Sequence, residues 1–168
     1  HAAMAAQGVP RVVPQLDDDA SVDELCRDPN LQAMLERRDQ DGDARLRTRL
    51  DAPYLRWRYR DIPRYTYVAR WRFDGNHGAF AIARRRERRG IDELTLAEIV
   101  ATPGTTGRRL LRQVILDLVD STPCELVTAL AASRTDELAA LRGLGFVPAP
   151  AALGPILTLR PVGPTPPP

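Results

Sequence analysis

The sequence predicts an α/β fold: a mostly antiparallel mixed sheet with one central parallel pair and flanking helices. Three observations predict it. Tyr65, Tyr67, Ala69, Trp71 and Phe73 alternate with Thr66, Val68, Arg70 and Arg72, the period-two pattern of a half-buried strand. Leu110, Leu111, Val114, Ile115, Leu118 and Val119 form one apolar stripe at helical spacing. The mostly apolar run from Cys124 to Ala131 suits a central strand buried on both faces, and a helical crossover would lay it parallel to the strand before the helix.

The elements follow in order. Residues 1–20 lack periodicity and carry Asp17-Asp18-Asp19, so they read as an arm. Ser21 is placed to cap a short helix from Val22 to Arg27, and Pro29 or Asn30 starts a second with Leu31, Met34 and Leu35 at helical spacing. The charged stretch from Arg37 to Arg49 reads as a linker or an exposed helix end. Asp51 is a good N-cap for a short helix with Pro53 in its first turn, stopped by Pro63. After the alternating strand, Asp74-Gly75-Asn76-His77-Gly78 supplies turn residues, so Ala79 to Arg86 returns antiparallel. Gly90 marks the next turn, and Ile91 to Val100 reads as a third strand. Its apolar phase slips between Leu96 and Ile99, as a β-bulge or a strand buried on both faces would make it do. Ser133, with Asp136 three residues on, starts a helix that Gly143 and Gly145 end. Phe146-Val147 begins a short strand and residues 156–160 a last one, before the tail Gly163-Pro-Thr-Pro-Pro-Pro168. One domain over residues 21–162 is expected.

Composition narrows the function. The chain has 168 residues, 43% of them hydrophobic, enough for one core. All 24 basic residues are arginine, nearly balanced by 22 acidic residues. That balance, without interleaved exposed aromatics, argues against a nucleic-acid-binding module. The one basic run, Arg84-Arg85-Arg86-Glu87-Arg88-Arg89, reads as a solvated hairpin end. No apolar run approaches the roughly 18 residues of a membrane span, and the first residues lack the pattern of a signal peptide. Cys26 and Cys124 read as separate thiols of a cytoplasmic protein, and with His1 and His77 apart no metal site is expected.

The order of elements, with Gly104 and Gly107 before the long helix and Leu144-Gly145-Phe146 after the next, resembles the GNAT acyltransferase fold. Leu55-Arg56-Trp57-Arg58-Tyr59, followed by Pro63 and Tyr65, is similar to a bacterial GNAT-like group in which an Arg-Trp-Arg-Tyr helix precedes the central hairpin. The resemblance covers about residues 51–162 and implies an acyl-CoA-dependent N-acyltransferase, with acetyl-CoA as co-substrate and an amine as acceptor. It implies that the two central strands splay and that pantetheine bonds the backbone of Ile99 and Val100. The pyrophosphate would lie on Gly104, Thr105, Thr106 and Gly107, where helix N-terminal amides and the helix dipole attract anions, with Arg108 and Arg109 at hand.

The sequence departs from the family's pattern at the loop and at the acid. Thr102 stands at the loop's usual Gln/Arg position, Thr105 at its first glycine, and Pro103 removes an amide. Leu141 holds the position of the frequent tyrosine acid, and an aliphatic chain donates no proton. Glu98 is then the nominated base, against a reading as a solvated edge residue. Tyr59 and Tyr65 are candidates for an acceptor pocket, while Trp57 and Trp71 are core residues by default. The rival is a catalytically degenerate GNAT-like half that binds or scaffolds. A homodimer or a second GNAT-like domain would complete it, and the missing first strand favours it.

Overall fold

The computed structural model describes residues 19–40, 49–62, 65–88, 90–131 and 135–148. Five helices and four strands follow one another: α1 (Asp19–Arg27), α2 (Pro29–Gln40), α3 (Ala52–Arg56), β1 (Val68–Asp74), β2 (His77–Arg88), β3 (Ile91–Ala101), α4 (Thr105–Ser121), β4 (Leu126–Ala129) and α5 (Asp136–Gly143). A π-helical turn, Trp57–Asp61, continues α3. The sheet order is β1-β2-β3-β4, with antiparallel pairs β1–β2 and β2–β3 and a parallel pair β3–β4. The mixed α/β architecture is therefore as the sequence predicts. The parallel pair, expected at the centre, lies at the β4 end of the described sheet.

Strand alternation sorts the side chains into two apolar layers. On one face Ala79, Ala81 and Ala83 of β2 and Leu94, Leu96, Ile99 and Ala101 of β3 meet the stripe of α4, with Leu141 of α5. The three alanines have little bulk, which lets α4 lie close to the strand. On the other face Ala69, Phe80, Ile82 and Val100 pack under Val22 and Leu25 of α1, Leu31, Met34 and Leu35 of α2, Leu55 of α3 and Tyr59.

The ends of the elements correct several expectations. The helix starts at Asp19, so the arm ends before residue 20 and Ser21 lies inside α1. Its hydroxyl accepts the Ala69 N–H at 2.8 Å instead of capping the helix. Asp51 caps α3 as expected, accepting from the Tyr54 N–H at 2.8 Å. Thr135, and not Ser133, caps α5 by accepting from Leu138 N–H at 3.1 Å; Ser133 lies outside the described residues. Leu144-Gly145-Phe146 is a helix stop and no strand begins there. Gly145 takes φ +85°, its N–H donates to Arg142 O and the Phe146 N–H donates to Leu141 O, both at 3.1 Å. Phe146 packs on the same core as Leu141.

The run from 124 to 131 yields only the four-residue β4, half-buried, with Leu126 45% and Leu130 69% exposed. It is not the doubly buried strand expected, because β3 is its only partner among the described residues. Arg84, Arg85 and Arg86 of the 84–89 run alternate between sheet faces and find partners, so these three are not simply solvated. Arg84 stacks over Tyr65 at 4.3 Å, Arg85 pairs with Asp92, and Arg86 pairs with Glu93 at 2.8 Å. The expected strand at 156–160 and the tail lie outside the described residues, as does most of the 37–49 linker.

Candidate functional site

One extra residue in β3 sets the geometry of the candidate site. β2 and β3 pair as Ile82↔Glu98 and then Ala83↔Leu96, so Ala97 has no partner and is bulged. That bulge is the phase slip in the sequence. Without it Glu98 would share the face of Leu96 and point into the apolar layer under α4. With it, Glu98 turns to the α1–α3 face beside Ile82 and Val100.

The β3–β4 ladder stops at the bulge. Its last pair is Leu96↔Ala129, whereas β3 runs on to Ala101 and pairs with β2 on both sides of the bulge. From Ala97 to Ala101 no described strand pairs with the β4 side of β3. Ile99 and Val100, the residues assigned to pantetheine, lie in this stretch.

Glu98 is held by the π-helical turn. Tyr59, only 2% exposed, donates its hydroxyl to Glu98 Oε2 at 2.9 Å and receives the Arg58 Nε–H at 3.2 Å. Burial pushes the Glu98 carboxyl above its ordinary range. The Tyr59 hydrogen bond, Arg38 and Arg58 oppose that rise, and Glu137 adds to it. Burial and the neighbouring Glu98 charge also push the Tyr59 phenol up, so it remains a hydrogen-bond donor at neutral pH.

An aromatic file leads outward from this carboxylate. Tyr67 meets Tyr59 edge-on at 5.0 Å and Tyr65 edge-on at 6.4 Å. Tyr65 is 49% exposed. Tyr59 itself is core with a buried hydroxyl on Glu98, so it positions the carboxylate more than it lines an open pocket. Trp57, expected in the core, is 54% exposed, whereas half-buried Trp71 donates Nε1–H to Asp28 at 3.0 Å.

The start of α4 lies just past the open stretch of β3. Gly104 adopts φ +96°, ψ −174°, a conformation essentially restricted to glycine, and no side chain caps the helix. A Cβ on Gly107 would fall inside the Thr102 carbonyl oxygen, so only glycine lets α4 start this close to β3. The first backbone bond of the helix is Arg108 N–H to Gly104 O at 3.1 Å, which leaves the N–H groups of Thr105, Thr106 and Gly107 ahead of it. The Gly104 N–H is occupied: it donates to Asp136 Oδ2 at 2.8 Å. Arg108 Nε lies 3.3 Å from the other oxygen of Asp136, and Arg109 pairs with Asp74 at 3.0 Å. Both arginines nominated for phosphate therefore already hold carboxylates. Leu141 is 4% exposed in the apolar layer under α4, so it offers no acid to the strand opening.

No family model matches the chain, and no curated protein matches it. Among solved structures it is similar to TTHA1254 from Thermus thermophilus, at 18% identity and a TM-score of 0.45 over 77% of this chain and 91% of that one. A single-substitution mutant of the same protein matches at 19% identity and a TM-score of 0.46, with the same coverage.

The structure thus brings Glu98 to Tyr59, with Val100 on the same face of β3 and Ile99 on the opposite one; Gly104 to Arg109 follow β3 in the chain, and Tyr65 adjoins Tyr67. Sequence reasoning missed Arg38, Arg58, Tyr67, Asp136 and Glu137. For Arg38 a signal existed: it lies one turn beyond Leu31, Met34 and Leu35, on the buried side of α2. Among the described residues no cluster of His, Cys, Asp and Glu could hold a metal ion. Cys26 and Cys124 are free thiols, and no described helix is long and apolar enough to cross a membrane.

Proposed function

We propose that this chain is a GNAT-type N-acyltransferase that moves an acyl group, most simply acetyl, from acyl-CoA to an amine. The observation that carries the reading is the stretch of β3 past Leu96. On its β4 side it has no described strand partner; it bears a half-buried carboxylate at its bulge, and it leads within a few residues to a helix start with uncapped amides. The backbone of Ile99 and Val100 would hold the pantetheine arm, and the amides of Thr105, Thr106 and Gly107 the pyrophosphate. Acyl-CoA supplies an activated acyl group. Glu98 takes a proton from the acceptor ammonium; the neutral amine then attacks the thioester carbonyl, the C–N bond forms as the C–S bond breaks, and the nitrogen gives its second proton to water. The released thiolate takes its proton from water, because Leu141 cannot supply one.

Asp136 and Leu141 favour a second reading, a binding module without turnover. Asp136 already occupies one amide of the proposed phosphate site, and Leu141 removes the usual acid. A thermal-shift series with acetyl-CoA and CoA tests the shared premise. A ligand of the native state raises the melting temperature with concentration over Kd. A rise that grows with concentration is expected; no shift and no calorimetric heat at millimolar CoA would remove both readings. Binding without transfer to any amine would select the module.

A further inference from the structure

The helices α1 to α3 do not cover the whole of their face of the sheet. Phe80, Ile82 and Val100 are fully buried beneath them, whereas Glu98 is half-buried and its neighbour Ala97 is exposed. The register carries this face further. Ile82 pairs with Glu98, and two residues along β2 Arg84 pairs with Thr95, so Arg84 and Thr95 lie on the same face as Glu98. Both are half-buried, and Tyr65 beside them is 49% exposed, so the sheet stands open to solvent here. The start of α4 lies the other way, past the Ala101 end of β3. Along β3, Glu98 thus stands between the position of Arg84 and the proposed phosphate site.

Three consecutive arginines of β2 have different partners. Arg85 holds Asp92 and Arg86 holds Glu93, but Arg84 has neither a carboxylate nor a hydrogen bond among the described residues. Its guanidinium lies 4.3 Å from the centroid of the Tyr65 ring, and none of its nitrogens is enclosed. A ring under the flat face of a guanidinium leaves its N–H edges free, and those edges match the paired oxygens of a carboxylate or a phosphate. The stacking also restrains the side chain in advance, which lowers the entropy lost when an anion binds.

We infer that the acceptor is an amine carrying an anionic group several bonds away, the amine lying at Glu98 and the anion on the open edge of Arg84. The inference rests on the acyltransfer reading and names the acceptor class of that site. Spacing sets the length. Two residues along a strand and one strand across put the α-carbons of Arg84 and Glu98 about 8 Å apart. Arg84 leans further away, toward Tyr65 on the β1 side of β2. In an α-amino acid the amine and the carboxyl carbon are only about 2.5 Å apart, too short to serve both residues. Arg84 is a specificity residue in this arrangement and moves no proton.

The test is a length series assayed for acetyl-CoA-dependent acetylation. Glycine, 4-aminobutanoate and 6-aminohexanoate are compared with methylamine, propylamine and pentylamine, which lack only the carboxylate. The longer acids should be preferred over their amines by about tenfold in kcat/KM, the lower end for a charge-assisted pair because Arg84 is partly solvated. Added salt should shrink that preference, and glycine should show none. An arm with 3-aminopropyl phosphate against 3-aminopropanol tells whether phosphate or carboxylate is the better anion; a preference for either supports the inference. Arg84→Met keeps the apolar stem over Tyr65 and should abolish the preference, while Arg84→Lys should retain part of it. If Arg84→Met melts far below the parent, the parent's length series and Arg84→Lys decide. Amines acetylated as well as their acids at every length overturn the inference and leave acyl transfer standing. So does a preference as strong for glycine, or one that survives in a folded Arg84→Met. Acetylation of no amine at all removes the acyltransfer reading, and the inference with it.

Discussion

At the scale of the residue, Glu98 owes its chemistry to a one-residue insertion and a tyrosine. The bulge at Ala97 takes its carboxylate out of the α4 layer, and Tyr59 fixes it there with a 2.9 Å bond. Glu98→Gln keeps the size of the side chain and removes the base. It is expected to lower acetyl transfer by about 10²–10⁴-fold while CoA affinity, read by calorimetry, stays nearly unchanged. Tyr59→Phe acts differently, because the lost hydrogen bond favours the ionised carboxylate. The acid limb of the pH–rate profile should move to higher pH, with activity recovered at alkaline pH. A profile that only scales down, with no shift, would mean that Tyr59 serves the fold alone.

At the scale of the element, α4 and α5 meet at the one position where an anion would be most welcome. Asp136 in the first turn of α5 takes the Gly104 amide and one edge of Arg108, so CoA phosphate and Asp136 compete. Asp136→Asn removes the negative charge and is expected to tighten CoA binding several-fold by calorimetry; weaker binding would show that the contact builds the site instead of blocking it. Gly107→Ala tests the packing of the same helix start. Alanine normally gains about 1 kcal/mol over glycine in a helix. Here its Cβ would run into backbone, so the melting temperature should fall. Much of this level was legible in the sequence. The stripe of α4, the hairpin at Asp74–Gly78 and the slip in β3 each have a period or a turn residue behind them. The meaning of the slip was not, since a bulge and a doubly buried strand leave the same pattern until the partner strand is known. β4 misled because an apolar run records hydrophobicity and not how many neighbours the strand has. Trp57 misled for a related reason: the π-helical turn carries Tyr59 inward and leaves the larger ring outside. Arg38, Asp136 and Glu137 converge from helices distant in sequence, and no spacing could have announced that.

At the scale of the whole molecule, two carboxylates on one face of β3 tie stability to pH in opposite directions. Glu93, 3% exposed, joins three strands: it pairs with Arg86 of β2 and accepts from Thr95 of β3 and from Thr128 of β4 at 2.6 Å. The Arg86 bond above all, with the Thr128 bond, brings its carboxyl down from 4.5 to about 2. A depressed carboxyl contributes stability that is complete above its ordinary range and is lost as pH falls toward the folded value. At about 1.36 kcal/mol for each tenfold change in proton affinity, the contribution is at most about 3 kcal/mol. Glu98 has the opposite sign. Its raised carboxyl favours the fold while protonated, and that contribution is lost as pH rises through the raised value. Denaturant melts of the parent, Glu93→Gln and Glu98→Gln from about pH 3 to pH 8 separate the two. Glu93→Gln should be destabilised at neutral pH, where Arg86 loses its partner, and should approach the parent at the acid end. Glu98→Gln should gain on the parent as pH rises, because it never buries a charge. The same ionised form that weakens the fold is the one able to accept a proton from an amine. A Glu98→Gln protein whose stability tracks the parent at every pH would therefore mean that the carboxylate is solvated, and would remove it as the base.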